Sequence, residues 1–245
     1  LYFKWWTKIS SRAADQLITI SKSTKDDLVR IFRIPEEKVE VVHLAVEPAY
    51  KKFTSEGGDD VISKYGIQKK FILYVGHLKP HKNVQSLIKA YHDLPESIRK
   101  EYQLVLGARK NLLYSQLAQQ VQELGIMNDV IFTDYIPEVE LPRLYNAASL
   151  FVLPSLYEGF GLPVLEAMAC GTPVITSHIS SLPEVAGDAA VYIDPHSVDE
   201  ISQAMVRVLT DGNLKQNLVD KGLERASNFS IEKMGARFHE ILIHC

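Results

Sequence analysis

Residues 71–91, FILYVGHLKPHKNVQSLIKAY, join two patterns of different period. The first five residues form a continuous apolar run, which is typical of a strand covered on both faces. Val84, Leu87, Ile88 and Tyr91 then recur at the spacing of one helix face. The stretch therefore predicts a strand, a polar loop and a helix in that order.

The same unit recurs along the chain, because amphipathic stretches separate further apolar runs. These runs span residues 103–107, 130–134, 149–154, 173–177 and 189–194. Strand and helix in regular alternation predict an α/β fold with a doubly wound parallel sheet of about six strands. A helical tail follows the last strand. In this architecture, ligands bind beyond the carboxyl ends of the strands.

Composition excludes several classes of protein. The chain has 245 residues, is 46% apolar and 23% charged, and carries a net charge of −3, so nothing favours nucleic acid as a partner. Cys170 and Cys245 are too few for a disulfide framework or a zinc site, which favours a reducing compartment. No stretch approaches the roughly 20 apolar residues of a membrane span.

The segment EGFGLPVLE, residues 158–166, follows a predicted strand and begins a helix. Pro163 suits the first turn of that helix and Gly171 the position just after it. Free N–H groups at a helix start favour an anion such as a diphosphate. Glu158 and Glu166, one on each side, would accept hydrogen bonds from hydroxyls, so the pattern fits a nucleotide-sugar. The alternative is a structural helix start whose acidic residues meet only the helix dipole.

A second loop, VGHLKPHKN at residues 75–83, also follows a predicted strand. Lys82 places a positive charge where a diphosphate needs one, and Lys79 is a weaker candidate. The alternative is a solvated basic loop. This strand is followed by neither GxGxxG nor a Walker A sequence, which argues against a dinucleotide dehydrogenase or a P-loop enzyme.

Together these segments resemble a known family. EGFGLPVLEAMACGTPVI resembles the glutamate-x7-glutamate signature of retaining glycosyltransferases of family 4, which have the GT-B architecture of two facing Rossmann-like domains. VGHLKPHKN is similar to the phosphate-binding loop of that family, and SSLPEVAGDAAVYIDP to the block that follows. The resemblance implies a remnant of the amino-terminal domain at 1–47, a linker at 48–70, the nucleotide-sugar domain at 71–229 and a crossover helix at 230–245.

The resemblance also implies roles for single residues. Glu158 would contact the donor sugar and balance the charge of an oxocarbenium ion, Lys82 would bind the phosphates, and Glu166 the ribose. The remaining donor-binding candidates are Gly76, His77, His81, Tyr135, Ile136 and the backbone of Phe160, Gly161 and Leu162. Many family members have arginine where this chain has His77 and His81, and histidine is not a dependable cation at neutral pH. The family needs no obligatory metal or other cofactor, and this chain has no DxD motif.

The implied reaction is transfer of a hexose, with retention of configuration, from a nucleotide-diphosphate sugar to a glycan or lipid-linked acceptor. The resemblance of VGHLKPHKN favours GDP-mannose over a UDP-glucose type of donor. Two alternatives stay open: a sugar-nucleotide epimerase of the same architecture, and a nucleotide-sugar-binding or assembly module without transfer activity.

The start of the chain bears on partners and location. The acceptor-binding amino-terminal domain is expected before Leu1, so the chain alone is not expected to complete transfer efficiently. The opening FKWWTK reads first as the exposed half of an interface with that domain. The second interpretation is a membrane-surface helix. The expected location is cytoplasmic, with peripheral association at the inner face of the membrane as an open alternative.

Overall fold

The computed structural model describes residues 2–53, 59–110 and 112–243. The end of the predicted crossover helix, including Cys245, lies outside the described residues, as does the glycine pair at the centre of the predicted linker.

The first part of the chain forms a small unit of two helices and two strands. It contains α1 (Tyr2–Ala13), β1 (Leu17–Thr19), α2 (Lys22–Phe32) and β2 (Val39–Val41). β1 and β2 pair in parallel. Ser21 caps α2 by accepting a hydrogen bond from the N–H of Thr24 at 3.0 Å, as its position before the helix predicts.

Six parallel strands form the main sheet, and each lies in one of the predicted apolar runs or extends it by one residue. They are β3 (Lys70–Val75), β4 (Tyr102–Gly107), β5 (Val130–Phe132), β6 (Leu150–Leu153), β7 (Val174–Ser177) and β8 (Ala190–Ile193), and their order across the sheet is β5-β4-β3-β6-β7-β8. The predicted α/β fold with a parallel six-stranded sheet is confirmed. The side chains of β6 are all buried, as expected for a strand covered on both faces.

Helices cover the sheet and form the tail. They are α3 (Asp59–Lys64), α4 (Val84–His92), α5 (Glu96–Glu101), α6 (Tyr114–Glu123), α7 (Leu141–Ala147), α8 (Leu162–Ala169), α9 (Leu182–Ala186), α10 (Val198–Thr210), α11 (Gly212–Ser227) and α12 (Ile231–Ile243). Asp211 separates α10 from α11 and caps α11 by accepting a hydrogen bond from the N–H of Leu214 at 2.9 Å.

The order of the strands determines where a ligand site can form. From β3 the chain moves outward to β4 and β5, then crosses back to β6 on the other side of β3 and continues to β7 and β8. The loops after β3 and β6 therefore leave the sheet in opposite directions. A crevice opens at the carboxyl end of the sheet where such a reversal occurs.

The segment predicted as a linker, residues 48–70, packs on the large sheet domain. Tyr50, Val61 and Ile67 are buried in its core. Glu140, just before α7, accepts hydrogen bonds from Lys64 and Tyr65, both at 2.6 Å. The composition of the segment did not indicate this packing, because a single short helix gave too few apolar positions to show a period. The domain limits themselves stay a prediction.

The last helix reaches back to the first unit. Arg237 of α12 donates a hydrogen bond to Glu40 of β2 at 2.6 Å. The carbonyl of Phe229, just before α12, accepts one from the N–H of Val46 at 2.9 Å. These contacts join α12 to the small unit.

Candidate functional site

A cleft of about 630 Å³ opens at the carboxyl ends of β3, β4 and β5. It brings together six of the eleven residues that the sequence indicated for donor binding or catalysis. These six are Gly76, His77, Lys82, Tyr135, Ile136 and Glu166. The first turn of α8 contributes Pro163 to the same wall. The loop after β3 and the start of α8 thus meet at one cavity, as the strand order requires.

Lys82 and Glu158 form a close ion pair beside this cleft. The ammonium nitrogen of Lys82 lies 2.6 Å from Oε1 and 2.8 Å from Oε2 of Glu158. Ser155 donates a further hydrogen bond to Oε1 of Glu158 at 2.7 Å. The two charged side chains are only 14% and 8% exposed. The sequence assigned these residues to different parts of a ligand, whereas the structure shows that they also bind each other.

Hydroxyl groups hold the backbone of residues 158–161, the Glu158 loop. The N–H of Glu158 donates to Ser180 Oγ at 2.9 Å. Ser181 Oγ lies 2.9 Å from the carbonyl oxygen of Glu158 and 2.8 Å from that of Phe160. The carbonyl of Gly159, between them, accepts from Ser21 Oγ at 2.7 Å. The loop is therefore fixed on both sides by serines to which the sequence motifs assigned no role.

Phe160 and Gly161 have structural roles that the sequence did not show. The ring of Phe160 is buried and packs edge-on against Phe229, with centroids 6.0 Å apart, so only its backbone is open to a ligand contact. Gly161 has φ of +103°, and a Cβ there would lie 2.7 Å from Leu182 Cδ2. Backbone conformation and packing thus require this glycine even without a ligand.

Leu162 begins α8, with Pro163 in its first turn as predicted. N–H groups in the first turn of a helix have no acceptor within the helix. Leu162 itself is partly buried. Its predicted contribution through the backbone is therefore compatible with its place in the fold.

Glu166 lies one turn inside α8 and faces the cleft. Burial raises the pKa of its carboxyl group to about 7. A hydrogen bond from the hydroxyl of Tyr145, at 2.9 Å, opposes this rise, and the charges of Glu138 and Glu47 add to it. Near neutral pH the carboxyl group is therefore a mixture of its neutral and ionised forms.

Arg109 adds a charged residue of the cleft to the predicted set. The guanidinium carbon of Arg109 lies 4.8 Å from the ring centroid of Tyr135, and both residues line the cleft. Asp134 has φ of +61° and accepts a hydrogen bond from the N–H of Lys110 at 3.0 Å. No sequence motif marked Arg109, although the polar segment directly after β4 is the same signal that marked the loop after β3.

His81 and Lys79 lie apart from the cleft. The residues that line the cleft do not include His81, whose carbonyl accepts a hydrogen bond from the N–H of Leu156 at 2.7 Å. Lys79 lines a neighbouring cavity together with Leu78 and Asn83. Phe160, Gly161 and Leu162 are likewise not among the residues that line the cleft, and the donor-binding role of His81 stays a prediction.

Glu184 connects the small unit to the large sheet domain. Its carboxylate accepts hydrogen bonds from the N–H groups of Lys22, at 2.8 and 2.9 Å, and Ser23, at 3.3 Å. His43 Nε2 lies 2.6 Å from the same carboxylate. A carboxylate at the start of α2 is favoured by the helix dipole. This contact fixes α2 close to the Glu158 loop.

Cys170, at the end of α8, is buried, and burial raises the pKa of its thiol to about 12. Such a thiol is a poor nucleophile. Across residues 2–53, 59–110 and 112–243, no cluster of three or more His, Cys, Asp or Glu side chains is arranged to hold a metal ion.

Trp5 and Trp6 of α1 are 60% and 50% exposed. Among the helices within the described ranges, none has both the length and the apolarity that crossing a bilayer demands.

Comparison with protein families gives two matches. Residues 60–225 match the family described as Glycosyl transferases group 1. Residues 1–50 match the one described as Glycosyltransferase Family 4. The two matched segments correspond closely to the large domain and the small unit of the structure.

Curated relatives and solved structures agree with these matches. O-antigen chain mannosyltransferase B of Escherichia coli is 36% identical over 221 residues, which cover 90% of this chain and 58% of the relative. MMP alpha-(1->4)-mannosyltransferase of Mycolicibacterium hassiacum is 31% identical, over 96% of this chain and 58% of the relative. This chain thus spans little more than half the length of either relative.

Two solved structures share the fold. Sucrose-phosphate synthase from Thermosynechococcus elongatus superposes with a TM-score of 0.85 at 24% identity, over 98% of this chain and 61% of that one. Anabaena Alr3699/HepE, solved in complex with UDP and glucose, gives a TM-score of 0.85 at 21% identity, over 95% of this chain and 64% of that one.

Proposed function

The chain belongs to the group 1 glycosyl transferases, and we propose that the protein transfers a mannosyl group from a nucleotide-diphosphate mannose to a glycan or lipid-linked acceptor. The observation that carries the proposal is the cleft that joins Lys82, the start of α8 and Glu166. The names of the two mannosyltransferase relatives support the choice of sugar. GDP-mannose is the preferred donor, and a UDP-glucose type of donor is the alternative.

Lys82 binds the diphosphate of the donor in this proposal. Its ammonium group has three N–H donors, and two lie within hydrogen-bonding distance of Glu158, which leaves one for a phosphate oxygen. Glu158 then holds Lys82 in place and accepts hydrogen bonds from sugar hydroxyls. The N–H groups of Phe160, Gly161 and Leu162 contact the sugar and diphosphate, and ionised Glu166 accepts from the ribose hydroxyls.

The proposed reaction retains the configuration at the anomeric carbon. The bond from that carbon to the leaving phosphate oxygen breaks, and the acceptor oxygen bonds to the same face of the sugar. The hydroxyl proton of the acceptor passes to the leaving phosphate. Lys82 and the backbone N–H groups stabilise the developing negative charge, so the proposal requires no metal ion.

Isothermal titration tests the donor site in the chain described here. The titrants are GDP, UDP, GDP-mannose and UDP-glucose, each with EDTA present. We expect saturable binding of one nucleotide, weakened at least tenfold by Lys82→Ala. Lys79→Ala is the matched control, because it removes the same charge from a neighbouring cavity and leaves affinity unchanged.

Transfer is tested with the full-length protein. Radiolabelled donors are offered with lipid-linked and free glycan acceptors, and the anomeric configuration of the product is read by NMR. Donor binding with neither transfer nor hydrolysis would support a binding or assembly module instead. Conversion of the free nucleotide-sugar to an epimer would support an epimerase.

A further inference from the structure

Three consecutive carbonyl groups of the Glu158 loop accept hydrogen bonds from serine side chains. The single hydroxyl proton of Ser181 is shared between the carbonyls of Glu158 and Phe160. Ser21 Oγ donates to the carbonyl of Gly159 at 2.7 Å, and Thr24 Oγ1 lies 3.3 Å from the same oxygen. Both serines are fully buried. A run of three peptide groups is thus fixed in orientation by two hydroxyls, outside any helix or strand ladder.

Fixing a carbonyl also fixes the next N–H group. In a trans peptide, the C=O of one residue and the N–H of the next point in opposite directions, and the described residues contain no cis peptide bond. Ser181 therefore sets the direction of the N–H groups of Gly159 and Gly161, and Ser21 that of Phe160. These three N–H groups point away from the serines, directly before the first turn of α8.

Ser21 differs from Ser181 because it comes from the small unit, 138 residues before Gly159. Its oxygen accepts the N–H of Thr24 at the start of α2 while its hydroxyl donates to Gly159. Glu184 holds the same end of α2 through Lys22 and Ser23. Ser21 therefore makes the orientation of the Phe160 N–H depend on how the small unit docks.

We propose that Ser21 and Ser181 are positioning residues for the donor, which turn the N–H groups of Gly159, Phe160 and Gly161 toward its diphosphate and sugar. This inference rests on the proposed function, since it assigns those N–H groups to the same donor. Neither serine touches the ligand in this arrangement. Each acts through the peptide group that it holds.

The test compares nucleotides that differ by one phosphate. Kd is measured by isothermal titration for GDP and GMP, and for UDP and UMP, in the wild-type chain and in Ser21→Ala, Ser21→Gly and Ser181→Ala. We expect about tenfold weaker binding of the diphosphate, since N–H groups that lose their orientation no longer donate well to a charged phosphate. We expect less than a twofold change for the monophosphate. A purely structural role would weaken both equally and would overturn the proposal.

The variants separate orientation from helix capping. Glycine is a good residue at a helix N-cap and alanine is a poor one. Ser21→Gly and Ser21→Ala should therefore lose diphosphate affinity equally, while only Ser21→Ala also loses stability through the cap. Thr176→Val is the matched control, because Thr176 is buried and its hydroxyl donates to the carbonyl of Leu153 at 2.9 Å, away from the loop. Weakening in that control equal to that in Ser181→Ala would contradict the proposal.

A second readout keeps this inference distinct from the proposed function. Inorganic pyrophosphate is titrated into ¹⁵N-labelled chain while the amide signals of Gly159, Phe160 and Gly161 are followed by NMR. We expect these signals to shift in the wild type and to shift less in Ser181→Ala. No shift in the wild type overturns the positioning role even when GDP binds. If the amide signals shift with pyrophosphate but neither GDP nor UDP binds, the result contradicts the proposed function and leaves the positioning role intact.

Discussion

The ammonium nitrogen of Lys82 lies 2.6 Å and 2.8 Å from the two carboxylate oxygens of Glu158, and both side chains are largely shielded from water. A shielded ion pair of this kind is costly to break on one side, because the remaining charge stays desolvated and unpaired. The pair therefore links the stability of the domain to the chemistry proposed for the cleft.

We expect Lys82→Met and Glu158→Gln each to destabilise the chain by about 3 kcal/mol, and the double variant to lose much less than the sum. Urea unfolding measures the free energies. The control pair is Lys100 and Glu96, whose side chains are 74% and 73% exposed, so single changes there should leave the free energy of unfolding close to that of the wild type. Additive losses at Lys82 and Glu158 would show that the two charges do not stabilise each other.

The raised pKa of Glu166 makes stability depend on pH. The folded chain keeps the proton up to about pH 7, whereas the unfolded chain loses it near 4.5, so stability falls as the pH rises between these values and is level above. The pKa shift corresponds to about 3 kcal/mol. Urea unfolding at pH 5 and pH 8 should show Glu166→Gln gaining stability relative to the wild type at the higher pH. An unchanged difference between the two proteins would contradict this.

Donor binding should depend on pH in the opposite sense. If ionised Glu166 accepts hydrogen bonds from ribose hydroxyls, nucleotide affinity falls as the pH drops below about 7, by at most tenfold per pH unit. Titrations of GDP and UDP at pH 5.5, 6.5 and 8 measure this. Glu166→Gln should bind more weakly at pH 8 and show a flatter profile, and a profile as steep as that of the wild type would assign the titration to another group.

Gly161 and Gly159 form a matched pair for substitution. Gly161→Ala combines a left-handed conformation with a contact of 2.7 Å to Leu182, so we expect a loss of about 2 kcal/mol. At Gly159 the nearest contact of an added Cβ is Ile20 Cδ1, at an ordinary 3.8 Å. Gly159→Ala should therefore stay within about 1 kcal/mol of the wild type. Thermal and urea unfolding compare the two, and equal losses would count against a conformational cause.

Tyr135 and Arg109 form a stacked pair at the cleft that suits a nucleobase. We expect Tyr135→Ala to weaken nucleotide binding by about 1 kcal/mol, roughly fivefold, through lost stacking. Tyr135→Phe should retain the affinity, because the ring remains. Val139→Ala is the control, since Val139 is 82% exposed and is not part of the cleft lining. Equal affinity of Tyr135→Ala and the wild type would place the base elsewhere.

Sequence patterns predicted the features that depend on residues close together in the chain, namely the strands and helices. The apolar runs identified all six strands of the main sheet, and the helix face through Val84 and Leu87 became α4, because period and burial are local properties of the chain. The meeting of Lys82 with the start of α8 also followed, since parallel strands bring their loops to one edge.

Contacts between distant side chains were not predictable in the same way. Tyr145 binds Glu166 from a different helix, and Ser21 binds Gly159 from a different unit. No periodicity relates such pairs. The burial of Phe160 was hidden for a related reason, because its partners His43 and Phe229 come from opposite ends of the chain.

Ser21 and Ser181, which bind the Glu158 loop, also differ in when they can form these contacts during folding. Ser181 is 21 residues from Phe160 and 23 from Glu158, whereas Ser21 is 138 residues from Gly159. Closing a long loop costs more entropy and generally comes later than closing a short one. The loop should therefore gain its Ser181 contacts as the large domain forms and its Ser21 contact only at the end. A newly made chain would then reach its final loop geometry in two kinetic steps.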